Sequence, residues 1–370
     1  MKIIPRTFSV LNPNEKLEPL YTIKKFPISM SCVKSIKWNE DVFYDMKWGI
    51  SSSGHIELME MVDPNLIYKN YHNPGSVGKI WKDHHSTFYK FISQDRFKEV
   101  LEIGGSSGRL VDNFCLHSTK FNWSIIEPSV QAKHTDGRVD LIEGYFENHN
   151  FNKKFDTIVH SHVFEHVYDP VVFLRKIYDL LEDDGLHYIS IPNMNHWLSN
   201  GFTSTLSFEH TFYVDDLVLE HLLSRTGFKV VDKIVDPHSI LIKSIKTKNT
   251  AIINHNFTYI KKLFDTYIES ITKDAAEILT KLGNEKFYLF GGHIFSQALL
   301  NLGLNMDNVE CIIDNDIQKH YKRLYGTTCL IKPSTVLAED ENPIVVLRGG
   351  PYHNEIMKTL LSINPNTRFV

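Results

Sequence analysis

The stretch EVLEIGGSSGRL, Glu99 to Leu110, begins as an apolar strand, crosses three glycines and resumes with the spacing of a helix. A strand that turns into a helix through glycines brings its backbone close to whatever lies at the strand end, because no Cβ stands in the way. The first amides of the helix, with no partner of their own, then face an anion. Working outward from this turn decides the fold. On its N-terminal side KIWKDHHSTFYKFI, Lys79 to Ile92, has helical periodicity. On its C-terminal side follow the strands WSIIEP (Trp123–Pro128), VDLIEG (Val139–Gly144) and FDTIVHS (Phe155–Ser161), the helix VVFLRKIYDLLEDDG (Val171–Gly185) and the strand LHYISIP (Leu186–Pro192). Strands alternating with helices predict parallel βαβ units. The helix DDLVLEHLLSRTGF (Asp215–Phe228) and the strand pair KVVDKIV and SILIKSIK close this first α/β unit near Lys248.

Beyond it, TYIKKLFDTYIESITKDAAEILTKLG (Thr258–Gly283) places apolar residues at three- and four-residue steps, which predicts one long amphipathic helix. The strand–turn–helix–strand pattern then recurs in KFYLFGGHIFSQALLNLG, VECIIDND and NPIVVLRGG. Residues 1–80 carry short apolar runs broken by Pro, Asn, Gly and Ser. The expected organisation is an N-terminal module at 1–80, an α/β domain at 81–248, a linking helix at 249–284 and a Rossmann-like α/β domain at 285–370.

Composition narrows the function classes. Of the 370 residues, 42% are hydrophobic and 23% charged, as in a folded globular chain and unlike a disordered one. A net charge of −4, with no long basic block, argues against nucleic acid as a partner. No apolar stretch has the length of a membrane helix, so the expectation is a cytoplasmic protein with no membrane partner. The cysteines Cys32, Cys115, Cys311 and Cys329 are scattered and never spaced CxxC, which encodes neither a disulfide framework nor a closed zinc site. They read as reduced, buried thiols, and no metal is expected.

The pattern Glu102, Gly104, Gly108 is ExGxxxG, and it resembles the first motif of class I S-adenosylmethionine (SAM)-dependent methyltransferases. In this reading the turn Gly104, Gly105, Ser106, Gly108 receives the carboxylate of the donor, with Glu102 beneath it. Glu127, at the tip of the second strand, is placed to accept both ribose hydroxyls. Tyr145 or Phe146, in EGYFEN, would lie against the adenine, and Ser161 and His162, in IVHSHVFEHVYDP, occupy the position of the family's later motif. A nicotinamide-binding domain is disfavoured because GGSSG lacks GxGxxG. The implied cofactor is SAM and the implied fold a Rossmann-like α/β core.

The whole chain further resembles the three-domain C-methyltransferases of nucleotide-linked keto-deoxysugars. In that family an N-terminal zinc module carries two CxxC pairs. Here the second pair maps to Ile50 and Ser53 and the first to the neighbourhood of Ser9 and Asn12, so the thiolates are gone. The family's acceptor segment, carrying Tyr, Glu and a basic His, corresponds to SFEHTF, with Glu209 and His210 in register and Ser207 in the tyrosine's place. The resemblance thus implies His210 as base, oriented by Glu209, because an imidazole can take a proton from a hydroxyl or from a carbon beside a ketone. His84, His85, His162 and His166 are competing candidates. The C-terminal turn Gly291–Gly292 and Arg348 are implied as the grip on a substrate pyrophosphate. Methyl transfer from SAM to a nucleotide-linked (keto)sugar or a surface-polysaccharide precursor is therefore expected, carbon methylation ahead of oxygen. A silent SAM- or sugar-nucleotide-binding subunit is the alternative. Oligomeric state is not encoded in any of these features.

Overall fold

The structure is a computed structural model of the 370-residue chain and describes residues 2–34, 37–69, 78–106, 108–117, 121–129, 136–248, 252–253 and 255–370. Ser107, part of the glycine turn, lies outside the described residues.

The central sheet has seven strands: β1 (Glu99–Ile103), β2 (Asn122–Glu127), β3 (Val139–Glu143), β4 (Phe155–Ser161), β5 (Leu181–Pro192), β6 (Phe228–Val235) and β7 (Ser239–Lys246). Their order is β3-β2-β1-β4-β5-β7-β6. β1 to β5 run parallel, whereas β7 is antiparallel to β5 and β6 antiparallel to β7. Val100, Leu101 and Ile103, Ile125 and Ile126, Ile158 and Val159, and Ile189 and Ile191 are all buried, as expected where helices cover both faces of a sheet. Chain order reverses on either side of β1, so its C-terminal end, flanked by those of β2 and β4, is the switch point at which open α/β sheets bind their ligands.

The covering helices are α1 (Lys79–Ile92), α2 (Arg109–His117), α3 (Pro170–Leu180), the short α4 (Met194–Ser199) and α5 (Asp216–Arg225). Asp169 caps α3 by accepting from the Val172 amide, with Pro170 entering the first turn, and Asp215 caps α5 by accepting from the Val218 amide. The sequence reading carried the third helix on to Gly185. It stops at Leu180 because Leu181 pairs with Phe155 and buries its side chain, so that Leu181–Asp184 extend β5 instead.

The long helix α6 (Thr258–Leu282) turns Ile260, Phe264, Tyr267, Ile271, Ala275, Ile278 and Leu282 inward. After it come β8 (Phe287–Phe290), α7 (Ile294–Asn301), β9 (Val309–Asp314), β10 (Ile331–Pro333), β11 (Ile344–Val346), α8 (His353–Ile363) and β12 (Arg368–Phe369), forming a five-stranded parallel sheet ordered β10-β9-β8-β11-β12. The N-terminal residues build an antiparallel sheet from Glu18–Pro27, Phe43–Ile50 and Ile56–Leu58. Its Met46, Trp48, Ile56 and Leu58 share one apolar core with Phe164, Phe212 and Val218 of the central unit and Phe264 of α6. Among the described residues, no helix is long and apolar enough to cross a membrane.

Candidate active site

At the end of β1 the chain turns so tightly that side chains are excluded. Gly104 has φ +74°, donates its amide to the Ile126 carbonyl at 2.8 Å, and has room for no Cβ, which would lie 2.4 Å from Val163 Cγ2. At Gly105 a Cβ would lie 2.7 Å from Ile125 Cγ2 and 2.8 Å from Glu102 Cδ. Gly108, φ +79°, closes the turn by donating to the Gly105 carbonyl. The Ser106 amide donates to Glu127 Oε2 at 3.1 Å and the Ser129 amide to Oε1 at 3.3 Å. Glu127 therefore joins the glycine turn to the tip of β2, and burial raises its pKa above the ordinary carboxylate range. Glu102 does not face the switch point. It accepts from the Trp123 indole at 2.7 Å, and burial pushes its carboxyl up to about 7. Its part is to support the turn from below.

The two candidates for adenine contact separate. Phe146 lies in the core against Phe173 and Phe151, with Lys176 over its ring, so it offers no face to a ligand. The sequence could not distinguish it from Tyr145, which is half-buried at the end of β3. Ser161, ending β4, bonds His84 Nε2 at 3.0 Å through its hydroxyl. His162 follows with φ +53°, bonded through Nε2 to Ser239 Oγ at 2.8 Å, its ring 4.9 Å from that of Trp81. His238 shares the same Ser239 hydroxyl at 2.7 Å. Burial holds His84 and His162 well below the usual imidazole range and lowers His238 to about 4. These neutral rings wall the carboxyl edge of the sheet beside the switch point.

The acceptor-side candidates lie next to this wall. The tripeptide Phe-Glu-His occurs at 164–166 and again at 208–210. Folding sets the two copies against each other: the Thr211 amide donates to the Glu165 carbonyl at 2.9 Å, His166 Nδ1 donates to the Glu209 carbonyl at 2.9 Å, and the His166 and His210 rings are 5.3 Å apart. His210 Nδ1 donates to the Thr205 carbonyl at 2.7 Å, which leaves its lone pair on Nε2, and burial lowers its pKa to about 4. Burial pushes Glu165 and Glu209 up to about 8, the latter while accepting a hydrogen bond from Tyr68. Ser207 is not poised for substrate. It is 1% exposed, and its hydroxyl oxygen accepts from the amides of Glu209 and His210, shaping the turn that presents them. Sequence reading missed Glu165 and Tyr68 as members of this group. The repeated tripeptide was the signal available for Glu165; Tyr68 carried none.

The C-terminal candidates are committed elsewhere. The Gly291 amide donates to the Ile313 carbonyl and the Gly292 amide to Asp314 Oδ2 at 2.8 Å, so a buried carboxylate already occupies the place of a pyrophosphate. Arg348 pairs with Asp274 of α6 at 2.5 and 2.7 Å and donates to the Leu347 and Val370 carbonyls. It ties this sheet to the long helix.

Residues 81–233 match the family model described as a methyltransferase domain. Among curated protein sequences none matches the chain. Of solved structures, an S-adenosylmethionine-dependent methyltransferase from Clostridium acetobutylicum is 12% identical over 44% of this chain and 92% of its own, with a TM-score of 0.35. The glycopeptide N-methyltransferase MtfA in complex with SAM is 14% identical over 44% and 93%, TM-score 0.36. The Burkholderia thailandensis 1,6-didemethyltoxoflavin-N1-methyltransferase is 15% identical over 52% and 96%, TM-score 0.38. The family match spans α1, the glycine turn and the sheet through most of β6, which is the part of the chain with the Rossmann-like α/β order of strands and helices.

Proposed function

We propose that the chain transfers the SAM methyl group to a small acceptor carrying a hydroxyl or keto group, a nucleotide-linked (keto)sugar being the candidate class. The donor's amino-acid end would lie on the turn Gly104–Gly108 and its ribose on Glu127, with Tyr145 beside the base and Ser161 and His162 forming the wall toward the acceptor. One observation supports this reading: Val163, which precedes Phe164–Glu165–His166, packs against Gly104, so the glycine turn and the first of the two Phe-Glu-His segments are neighbours. A methyl group already activated by a sulfonium needs chiefly an acceptor held in line with it. The acceptor's proton would leave at the segment Glu209–His210, where His210 is neutral and keeps a lone pair on Nε2.

Carbon methylation follows from the sequence resemblance. The missing tyrosine at Ser207 favours oxygen instead, unless the phenol of Tyr68 beside Glu209 takes its place. The test is incubation with SAM and a panel of nucleotide sugars, 4-keto forms included, with mass spectrometry for the gain of one methyl. His210→Ala is expected to lose most of the turnover while still binding SAM in calorimetry. Binding of SAM with no turnover on any sugar nucleotide would favour a silent binding subunit.

A further inference from the structure

Two side-chain groups near the switch point bring nitrogen and oxygen ligand atoms within 4.8 Å of one another: His84 with His162 and His238, and Glu165 with His166 and His210. In the first, the rings are bonded to hydroxyls, to Ser161, to Ser239 and, through His238 Nε2, to Tyr352 at 3.3 Å. That network is satisfied as it stands. The second is not.

We propose that Glu165, His166 and His210 form a binding site for one divalent first-row transition ion, with one carboxylate and two imidazoles as ligands. The proposal rests on the reading above that the acceptor approaches the paired Phe-Glu-His segments. Both imidazoles are oriented as metal ligands usually are, with Nδ1 donating to a backbone carbonyl, Glu209 at 2.9 Å and Thr205 at 2.7 Å. This fixes the tautomer that carries the lone pair on Nε2. For His166 that nitrogen is 3.7 Å from Glu165 Oε1.

Glu165 supplies the independent observation. Its side chain is 1% exposed, and among the described residues nothing donates to Oε2. Nor does any lysine or arginine among them lie within ion-pair reach; the nearest basic groups are His162 at 3.6 Å and His166 at 3.7 Å. Burial with no cation at hand favours the neutral carboxyl, and a bound ion would hold the group as the carboxylate. Two imidazoles with one carboxylate suit iron, manganese, cobalt or zinc better than calcium, and three protein ligands leave positions open for a substrate. The His166 side chain is 24% exposed, which opens one side of the group.

An ion here would bind the acceptor oxygen as a Lewis acid and lower the pKa of its hydroxyl. The hydroxyl proton passes to water. The new O–CH3 bond forms as the S–CH3 bond breaks, and the electron pair of that bond stays on sulfur, giving the methylated acceptor and neutral S-adenosylhomocysteine. His210 then serves as ligand in place of free base.

The experiment uses the full chain, stripped with chelator and then titrated with Co2+. Visible absorption and equilibrium dialysis with elemental analysis give the environment and the stoichiometry. One Co2+ per chain is expected, with affinity weakened by about tenfold or more in Glu165→Gln and in His166→Gln. SAM calorimetry on the same variants must match wild type, which shows that they are folded. The idea is overturned if wild type binds no Co2+, if both variants bind it as wild type does, or if His84→Ala with His238→Ala abolishes binding while Glu165→Gln leaves it. Failure of wild type to bind SAM would sink the methyltransferase reading instead, and ion binding is scored separately from it.

Discussion

Replacing Glu127 by glutamine tests the donor site with the least change of shape. The carboxylate accepts the Ser106 and Ser129 amides at 3.1 and 3.3 Å, and its remaining lone pairs are those a ribose diol would use. Glutamine keeps one accepting oxygen and turns an amino group toward donors. A hydrogen bond to a charged group contributes about 1.5–3 kcal/mol. Losing one of them and weakening the other should cost about 2–3 kcal/mol, a rise of roughly 30- to 140-fold in Kd for SAM. Isothermal titration with SAM and with S-adenosylhomocysteine measures it, and a melting curve checks the fold. The pH dependence gives a second signature. Burial raises the Glu127 pKa, so acidification protonates it earlier than a free glutamate, and wild-type affinity should fall as pH drops toward that value. The glutamine variant should lack this slope. A variant that binds SAM within threefold of wild type, with an unchanged melting temperature, refutes the placement of the ribose.

Glu102 offers a test by stability. Its folded pKa of about 7 lies above the ordinary 4.5, so the folded chain holds this proton more tightly than the unfolded one. Its contribution is present in full below 4.5 and is lost as pH rises through 7, a change of about 3 kcal/mol over that window. Urea unfolding of Glu102→Gln should therefore show a shallower loss of stability from about pH 5 to about pH 8 than wild type, and an identical slope would show that the carboxyl is not buried against Trp123. For Arg348→Met, the Asp274 pair is part-exposed, and the expected cost is about 1–2 kcal/mol in thermal unfolding with kcat/KM unchanged. A large rise in KM with stability intact would return Arg348 to the substrate site.

The central unit was legible because its signals are periodic and local. Strand runs such as Val100–Ile103, and a glycine turn whose φ values of +74° and +79° other residues adopt with strain, leave few alternatives. The long helix was readable for the same reason, its apolar stripe lying on one face. Site chemistry was less legible wherever it depended on which way neighbours point. Tyr145 and Phe146 are adjacent, yet only one is core, and alternation alone does not say which. Gly291 and Gly292 have the appearance of a phosphate turn, but the decisive fact is a carboxylate 22 residues on, Asp314, that takes the Gly292 amide. Arg348 likewise finds Asp274, which lies 74 residues earlier. Partners far apart in sequence set the protonation and availability of a group, and no local pattern encodes them.

The N-terminal corner is organised by hydrogen bonds to a single glutamate. Ser9, Asn12 and Ser53 all bond to one residue, Glu15. The Ser9 amide donates to its carbonyl at 2.9 Å, Asn12 Nδ2 to Oε1 at 3.1 Å and the Ser53 amide to Oε2 at 2.9 Å. Burial raises the Glu15 carboxyl, but the bonds from Ser53 and Asn12 outweigh it and hold the pKa below the ordinary value. By sign, this stabilisation is present above pH 4.5 and is lost as pH falls through the lower folded value. The opposite end of the strand pair Glu18–Pro27 and Phe43–Ile50 is held differently, by the buried pair of Arg323 with Asp41, at 2.5 and 3.1 Å, and by the pairing of Cys32–Val33 with Arg323–Leu324. Glu15→Ala should lower stability by about 2 kcal/mol, two charge-assisted bonds discounted for partial exposure, and speed hydrogen exchange at the Ser53 amide. If Glu15→Ala leaves both the melting temperature and Ser53 exchange unchanged, the hydrogen-bonded account fails.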